Sequence, residues 1–141
     1  MLLFKNIFQP QLFKKEKMVR TVQHENPHVL VFQFDGDIEE DEFNSIVKES
    51  VEKQVEEYGE INLVYILNTP LSNFTTGVWV QDALLGLQNL SKWNKCAIVT
   101  DKQAIQSFTE FFSKIMPGQF RGFDMEQSTE AIEWVAQKSD S

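Results

Sequence analysis

The chain is poor in the residues on which much protein chemistry depends. Its 141 residues include one cysteine, Cys96, and two histidines, His24 and His28. A single cysteine excludes an intramolecular disulfide, which is typical of a reducing compartment, so we expect a cytoplasmic protein. No apolar run approaches the roughly 18 residues that a membrane span needs.

The signatures of the common enzyme classes are also absent from the sequence. It has no Ser-His-Asp or Cys-His arrangement, no phosphate-binding loop and no glycine-rich dinucleotide fingerprint. Cys96 lies in the apolar run CAIV and is interpreted as a buried small hydrophobic residue. The two histidines flank an Asn-Pro turn, with no third ligand nearby, and we expect them to be exposed and incidental. We therefore expect a protein that is not an enzyme and has no cofactor.

Positive charge is scarce and unevenly placed. The chain has 13 Lys and Arg against 21 Asp and Glu, for a net charge of −8. Residues 1–17 contain four lysines and one glutamate, a net charge of +3, which leaves −11 for the remainder. An acidic body lacks the clustered cations that bind a nucleic-acid backbone, so we expect no nucleic-acid partner.

Residues 1–17, MLLFKNIFQPQLFKKEK, differ in pattern from the rest and are interpreted as an N-terminal extension. Large apolar residues alternate with lysines, and Pro10 interrupts any helix. No small-residue cleavage site follows, so a secretory signal is not indicated. Three alternatives stay open: packing on the domain or on a second subunit, a start of the protein at Met18, and a membrane-surface anchor, which is the least favoured.

From residue 18 onward, strand patterns alternate with helix patterns and predict one domain over residues 18–138. The order is β-β-α-β-α-β-α-β-α, which predicts an α/β fold with a mainly parallel sheet, an antiparallel edge hairpin and four helices. Strands are predicted over residues 18–24, 28–35, 61–67, 95–100 and 119–124, and helices over 39–58, 76–91, 102–115 and 126–137. The first helix has its apolar face at Phe43, Ile46, Val47, Val51, Val55 and Tyr58.

Several local motifs occur one after another over residues 18–136. They are Gly36-Asp37, Gly59, a Phe-x-x-Gly-x-Trp-x-x-Asp pattern at Phe74, Gly77, Trp79 and Asp82, and Phe123-Asp124 followed by Glu130 to Trp134. In this order and spacing the chain resembles the SpoIIAA-like family of the STAS superfamily. The resemblance implies a STAS-like fold and a bacterial cytoplasmic protein without an assigned activity. The family is also grouped with the lipid-exchange CRAL-TRIO fold, which suggests an apolar cavity.

The loop after the third predicted strand is the first candidate site. In STAS regulators a Ser or Thr at the start of the second helix is a phosphorylation switch, which the resemblance carries to Thr75 and Thr76. Here Phe74, and not an aspartate, precedes them, and the alternative is that one threonine only caps the helix. The surrounding ligand or partner surface is predicted to include Asn68, Ser72, Phe74, Gly77, Trp79 and Asp82.

Four polar residues fall at the ends of predicted strands: Asp35, Asn68, Asp101 and Asp124. The carboxyl ends of parallel strands share one edge of a sheet, which is where open α/β sheets bind ligands. Oxygen ligands at such an edge suit Mg²⁺ or Ca²⁺. Aspartate is also favoured where a strand turns into a helix, because it caps, and capping is the preferred interpretation here. We therefore expect no metal.

Aromatic residues crowd the third predicted helix and the last strand. Phe111 and Phe112 are adjacent and point about 100° apart on a helix, so one faces the sheet and the other faces elsewhere. A plain core, a homodimer face and an apolar-ligand pocket are the three interpretations. The overall prediction is a non-enzymatic binding or regulatory module, with a protein partner, a second copy or a small apolar molecule as its ligand. The alternatives are a phosphorylation-switched regulator of the anti-sigma-factor-antagonist type, a lipid carrier, and an enzyme that uses the aspartates at the strand ends.

Overall fold

The computed structural model describes residues 18–36, 39–68, 92–105, 110 and 118–137. Within these ranges the chain forms one five-stranded sheet in the order β1-β2-β3-β4-β5. The strands are β1 (Val19–Thr21), β2 (Leu30–Asp35), β3 (Ile61–Asn68), β4 (Trp93–Thr100) and β5 (Gln119–Asp124). All five predicted strands are therefore present, although β1 is shorter than its pattern indicated.

The strand directions agree with the predicted mixed sheet. β1 runs antiparallel to β2, with Val19 opposite Phe34. The pairs β2–β3, β3–β4 and β4–β5 are all parallel. As a result, β2, β3, β4 and β5 end at one edge of the sheet, called the carboxyl edge below, and β1 begins at that edge. The opposite edge is called the amino edge.

The central strands are buried on both faces, as their continuous apolar sequences predicted. Alternate residues divide into two hydrophobic clusters, since successive side chains on a strand point to opposite faces. One cluster contains Phe32, Phe34, Leu63, Tyr65 and Ile98, packed with the first helix. The other contains Val31, Val64, Ala97, Val99 and Phe123, packed with the last helix.

The described residues contain two helices, whereas four were predicted. Helix α1 is α-helical over Glu40–Phe43, π-helical over Asn44–Lys48 and α-helical again over Glu49–Tyr58. After β5, a 3₁₀ turn over Met125–Gln127 leads into helix α2 over Ser128–Ala136. The predicted helix over residues 76–91 lies outside the described residues, and the one over 102–115 lies largely outside them. None of the described helices is long and apolar enough to cross a membrane.

The inward face of α1 follows the prediction at five of its six positions. Phe43, Val47 and Val51 are buried, and Ile46 and Val55 pack against them. Tyr58 is 40% exposed, so its assignment to the core was wrong. It is the last residue of α1, at the amino edge, where its ring meets the imidazole of His28 edge-on at 6.5 Å. Gly59 then ends the helix with φ +77° and donates its N–H to the carbonyl of Val55, as predicted.

Cys96 is buried in the first cluster, which confirms its interpretation as a core residue. Burial raises the pKa of the Cys96 thiol far above its usual range. Burial also raises the pKa of the Tyr65 hydroxyl, with a smaller contribution from Cys96. Both groups are therefore held neutral in the folded protein at pH values where they ionise in the unfolded chain.

This difference predicts an alkaline loss of stability. A raised folded-state pKa contributes stability that is complete below the unfolded pKa and is lost as the pH rises above it, here from about pH 8.5 upward. Urea unfolding of the wild type and of Cys96→Ala at pH 7 and pH 10 measures the effect. The free energy of unfolding should fall less steeply with pH in Cys96→Ala, and equal slopes for the two proteins would refute the assignment.

Candidate functional site

The sheet brings together the predicted strand-end residues at the carboxyl edge. Asp35 and Asn68 are register partners at the ends of β2 and β3. Thr100 and Asp124 are register partners at the ends of β4 and β5, and Asp101 follows Thr100 directly. The four polar residues therefore form two pairs, Asp35 with Asn68 and Asp101 with Asp124.

The first pair is a closed hydrogen-bonded group. The amide of Asn68 donates to Asp35 Oδ1 at 3.0 Å, and the amide of Gln33 donates to the same oxygen at 3.2 Å. The guanidinium of Arg20 donates to Asp35 Oδ2 at 3.2 Å. Both carboxylate oxygens of Asp35 thus have partners from its own sheet.

These contacts set the charge state of Asp35. Partial burial, the largest single influence, raises the pKa of its carboxyl. The hydrogen bonds from Asn68 and Gln33, together with the charge of Arg20, outweigh burial and hold the pKa below its usual value. Asp35 is therefore an anion at neutral pH and stabilises the junction of β1, β2 and β3.

A lowered folded-state pKa predicts an acid-dependent loss of stability. The contribution of Asp35 is present above the unfolded pKa and is lost as the pH falls through the folded value, so the window lies between about pH 5 and pH 2. The melting temperature of Asp35→Asn should fall less than that of the wild type over this window. Asp41→Asn, which removes an exposed carboxylate from α1, is the matched control. Parallel acid profiles for the wild type and Asp35→Asn would contradict this account.

The second pair, Asp101 and Asp124, caps the chain segments that follow β4 and β5, as the positions of these residues at strand ends predicted. Asp101 Oδ1 accepts the N–H of Ala104 at 3.0 Å. Asp124 Oδ1 accepts the N–H of Glu126 at 3.0 Å, and Gln127 Oε1 accepts the N–H of Asp124 at 3.1 Å, which completes a capping box. The backbone N–H of Glu126, at the start of the helical segment after β5, therefore has its hydrogen-bond acceptor within the protein.

A cleft of about 510 Å³ opens between the two chain segments that follow β4 and β5. Its described lining residues are Asp101, Lys102, Gln103, Asp124, Met125 and Glu126. Three of them carry carboxylates and one carries an ammonium group, whose Nζ lies 4.0 Å from Asp124 Oδ2. Met125 is 39% exposed, and among the described residues the large apolar side chains are otherwise mostly buried. The cleft thus combines an acidic rim with an apolar patch.

The described residues do not support a metal centre at this edge. No group of three or more His, Cys, Asp or Glu side chains among them is arranged to hold a metal ion. At least one carboxylate oxygen of each of Asp35, Asp101 and Asp124 accepts a hydrogen bond from a backbone or side-chain donor. The remaining site candidates lie outside the described residues: Ser72, Phe74, Thr75, Thr76, Gly77, Trp79, Asp82, Phe111 and Phe112.

Sequence reasoning missed the residues that make the cleft distinctive, Lys102, Met125 and Glu126. A usable signal was present, because each follows a predicted strand by two residues or fewer and so has to lie near the carboxyl edge. Met125 in particular is a large apolar residue directly after a strand-ending aspartate, at a position where polar turn residues are the rule.

The amino edge also contains a polar group that the sequence did not reveal. Lys95 is only 5% exposed, and its Nζ donates to the carbonyls of Trp134 and Gln137 at 3.2 and 3.1 Å. His28 Nε2 lies 2.9 Å from the carbonyl of Ala136. The expectation that His28 is incidental was therefore wrong, because it and Lys95 hold the end of α2, where a cation complements the helix dipole.

The architecture defines an α/β domain whose mixed five-stranded sheet presents a polar edge, with a cleft between the chain segments that follow its last two strands. The SpoIIAA-like family model matches residues 29–136, and the chain belongs to this family. A similar solved structure is that of an uncharacterised protein of the DUF3478 family with a SpoIIAA-like fold from Shewanella loihica PV-4. It is 18% identical, with a TM-score of 0.60, over 86% of this chain and 97% of that one, a likeness of fold alone. No curated protein matches the sequence.

Proposed function

We propose that this protein is a non-enzymatic binding module that holds a basic segment of a partner protein in the cleft at the carboxyl edge, between the chain segments that follow β4 and β5. The observation that carries the proposal is the lining of that cleft, to which Asp101, Asp124 and Glu126 contribute carboxylates and Met125 contributes an exposed apolar side chain. A lysine or arginine flanked by an apolar residue matches this combination of charge and apolar surface.

The same residues disfavour an anionic ligand. A helix start is the usual place for a phosphate, because its backbone N–H groups are free. Here the carboxylate of Asp124 already accepts from the N–H of Glu126, and the carboxylate of Glu126 adds further negative charge. An anion would have to displace one carboxylate and approach another.

The phosphorylation switch is retained as a second candidate function because its candidate threonines follow β3, which ends at the carboxyl edge, closely in the sequence. Thr75 and Thr76 follow the last residue of β3, Asn68, by seven and eight positions in the chain. A phosphate there adds about −1.5 to −2 charges. A partner surface can read that charge as repulsion, so in capture from lysate Thr76→Glu should lose a protein partner that Thr76→Ala keeps. Equal capture by both variants would contradict the switch.

Native mass spectrometry of the gently purified full-length chain tests the proposed function. We expect a co-purified protein that is lost with Met125→Asp and kept with Tyr58→Asp. The two wild-type side chains are matched in exposure, 39% and 40%, but lie at opposite edges of the sheet. Loss of the partner in both variants, or in neither, would contradict the cleft as the binding site. A lipid-sized adduct or a homodimer in place of a partner protein would favour the apolar-carrier or self-association alternative.

A further inference from the structure

We propose that residues 1–17 form a strap that crosses the carboxyl edge and occupies the β4–β5 cleft of the same chain until a partner displaces it. The inference rests on the proposed function, because it names the resting occupant of the partner's cleft. It is independent of which protein the partner is.

The extension is attached to the domain at the carboxyl edge, which is also the edge that carries the cleft. The carbonyl of Met18 accepts the N–H of Asp35 at 2.8 Å, which fixes Met18 beside the carboxyl end of β2. Glu42 Oε2 accepts the N–H of Met18 at 2.6 Å and that of Val19 at 3.2 Å. Because β1 is antiparallel to its neighbour, Met18, the residue to which the extension is attached, lies at the carboxyl edge and not at the amino edge.

The extension is long enough to reach the cleft. From β1 to the space between β4 and β5 is three to four strand spacings, roughly 14–19 Å at about 4.8 Å each. Seventeen residues span up to about 56 Å when extended and roughly 25 Å as a helix. In either conformation, residues 1–17 are long enough to extend from β1 to the cleft.

The charges and apolar residues of the two parts are complementary. Residues 1–17 carry a net charge of +3 and include Phe13 directly before Lys14 and Lys15, the cation-plus-apolar combination for which the cleft is suited. The cleft carries three carboxylates and the exposed Met125. Attachment to the same chain gives the extension an effective concentration in the millimolar range, which favours it over a second copy at ordinary protein concentrations.

Zero-length carbodiimide crosslinking of the full-length protein, followed by peptide mass spectrometry, tests the strap. The reagent joins lysine amines to carboxylates in contact, and the Lys102–Asp124 pair at 4.0 Å serves as the internal positive control. We expect crosslinks from Lys14, Lys15 or Lys17 to Asp101 or Glu126. An equal mixture of unlabelled and ¹⁵N-labelled protein should show them within one chain and not between chains.

A matched pair of charge reversals sharpens the test. Glu126→Lys should reduce the crosslinks to Asp101 roughly two- to fivefold, the range that the loss of an exposed ion pair produces. Glu57→Lys, an exposed residue near the amino edge, should leave them unchanged. Crosslinks between chains, crosslinks mainly to acidic residues of α1, or none from residues 1–17 while the Lys102–Asp124 control forms would each overturn the strap.

The strap and the proposed function fail in different ways. If the strap is wrong and the cleft is right, these crosslinks are missing while the partner is still lost with Met125→Asp and kept with Tyr58→Asp. If the cleft itself is wrong, the two partner variants behave alike, and the strap loses its basis as well.

Discussion

Gln54→Met is expected to lower the free energy of unfolding by about 3 kcal/mol, because the three hydrogen bonds of a buried side chain, two of them fully buried, are lost together. The Gln54 amide donates to the carbonyls of His28 and Asn62 at 2.9 and 3.0 Å, and its Oε1 accepts the N–H of Asn62 at 3.2 Å. Gln54 is 4% exposed, so water cannot replace the missing partner. Methionine keeps most of the volume and isolates the polar contribution.

Urea unfolding of Gln54→Met beside Gln23→Met measures this effect. Gln23 is an exposed residue before the β1–β2 turn, and its replacement should change stability by less than about 0.5 kcal/mol. A loss below about 1 kcal/mol for Gln54→Met would show that the side chain does not join α1 to the start of β3 in the way described.

Gly118→Ala is expected to destabilise the fold by about 3 kcal/mol, since the change combines backbone strain with a steric clash. Gly118 has φ +104°, which L-residues rarely adopt. A Cβ at this position would lie 3.0 Å from the carbonyl oxygen of Trp93 and 3.1 Å from that of Asn94. Both contacts are backbone atoms of β4, which cannot move without disturbing the β4–β5 pairing.

Gly59→Ala is the matched control for Gly118→Ala. Gly59 has a similar positive φ of +77°, but a Cβ there would meet nothing within 4 Å. Gly59→Ala should therefore lower the free energy of unfolding through backbone strain alone, by about 1–2 kcal/mol. Chemical denaturation of both variants gives the comparison. Equal losses for the two would mean that close approach to β4 plays no part at Gly118.

Much of the sheet was predictable because its signals are local. The continuous apolar runs of β3 and β4 indicated strands buried on both faces, and the alternation along β2 separated Phe32 and Phe34 from Val31. Gly59 was a clear helix stop. These features follow from residue type and period, which need no knowledge of the neighbouring elements.

The features that were missed depend on contacts between distant segments. Gln54 is buried because it reaches Asn62 and His28, eight and 26 residues away, and no helical pattern reveals that need. Tyr58 fits the apolar period of α1 but lies at the helix end, beyond the sheet. The cleft arises only when the turns after β4 and β5 are side by side, although each aspartate in it was a candidate from its strand-end position.

The cleft at the carboxyl edge is the proposed binding surface. Site-specific incorporation of a photo-crosslinking amino acid at Met125, with Tyr58 as the matched position, tests it most directly in cells. We expect a protein adduct at position 125 whose crosslinked peptide carries lysine or arginine, and no such adduct at position 58. Adducts of equal yield at both positions, or at position 58 alone, would contradict it.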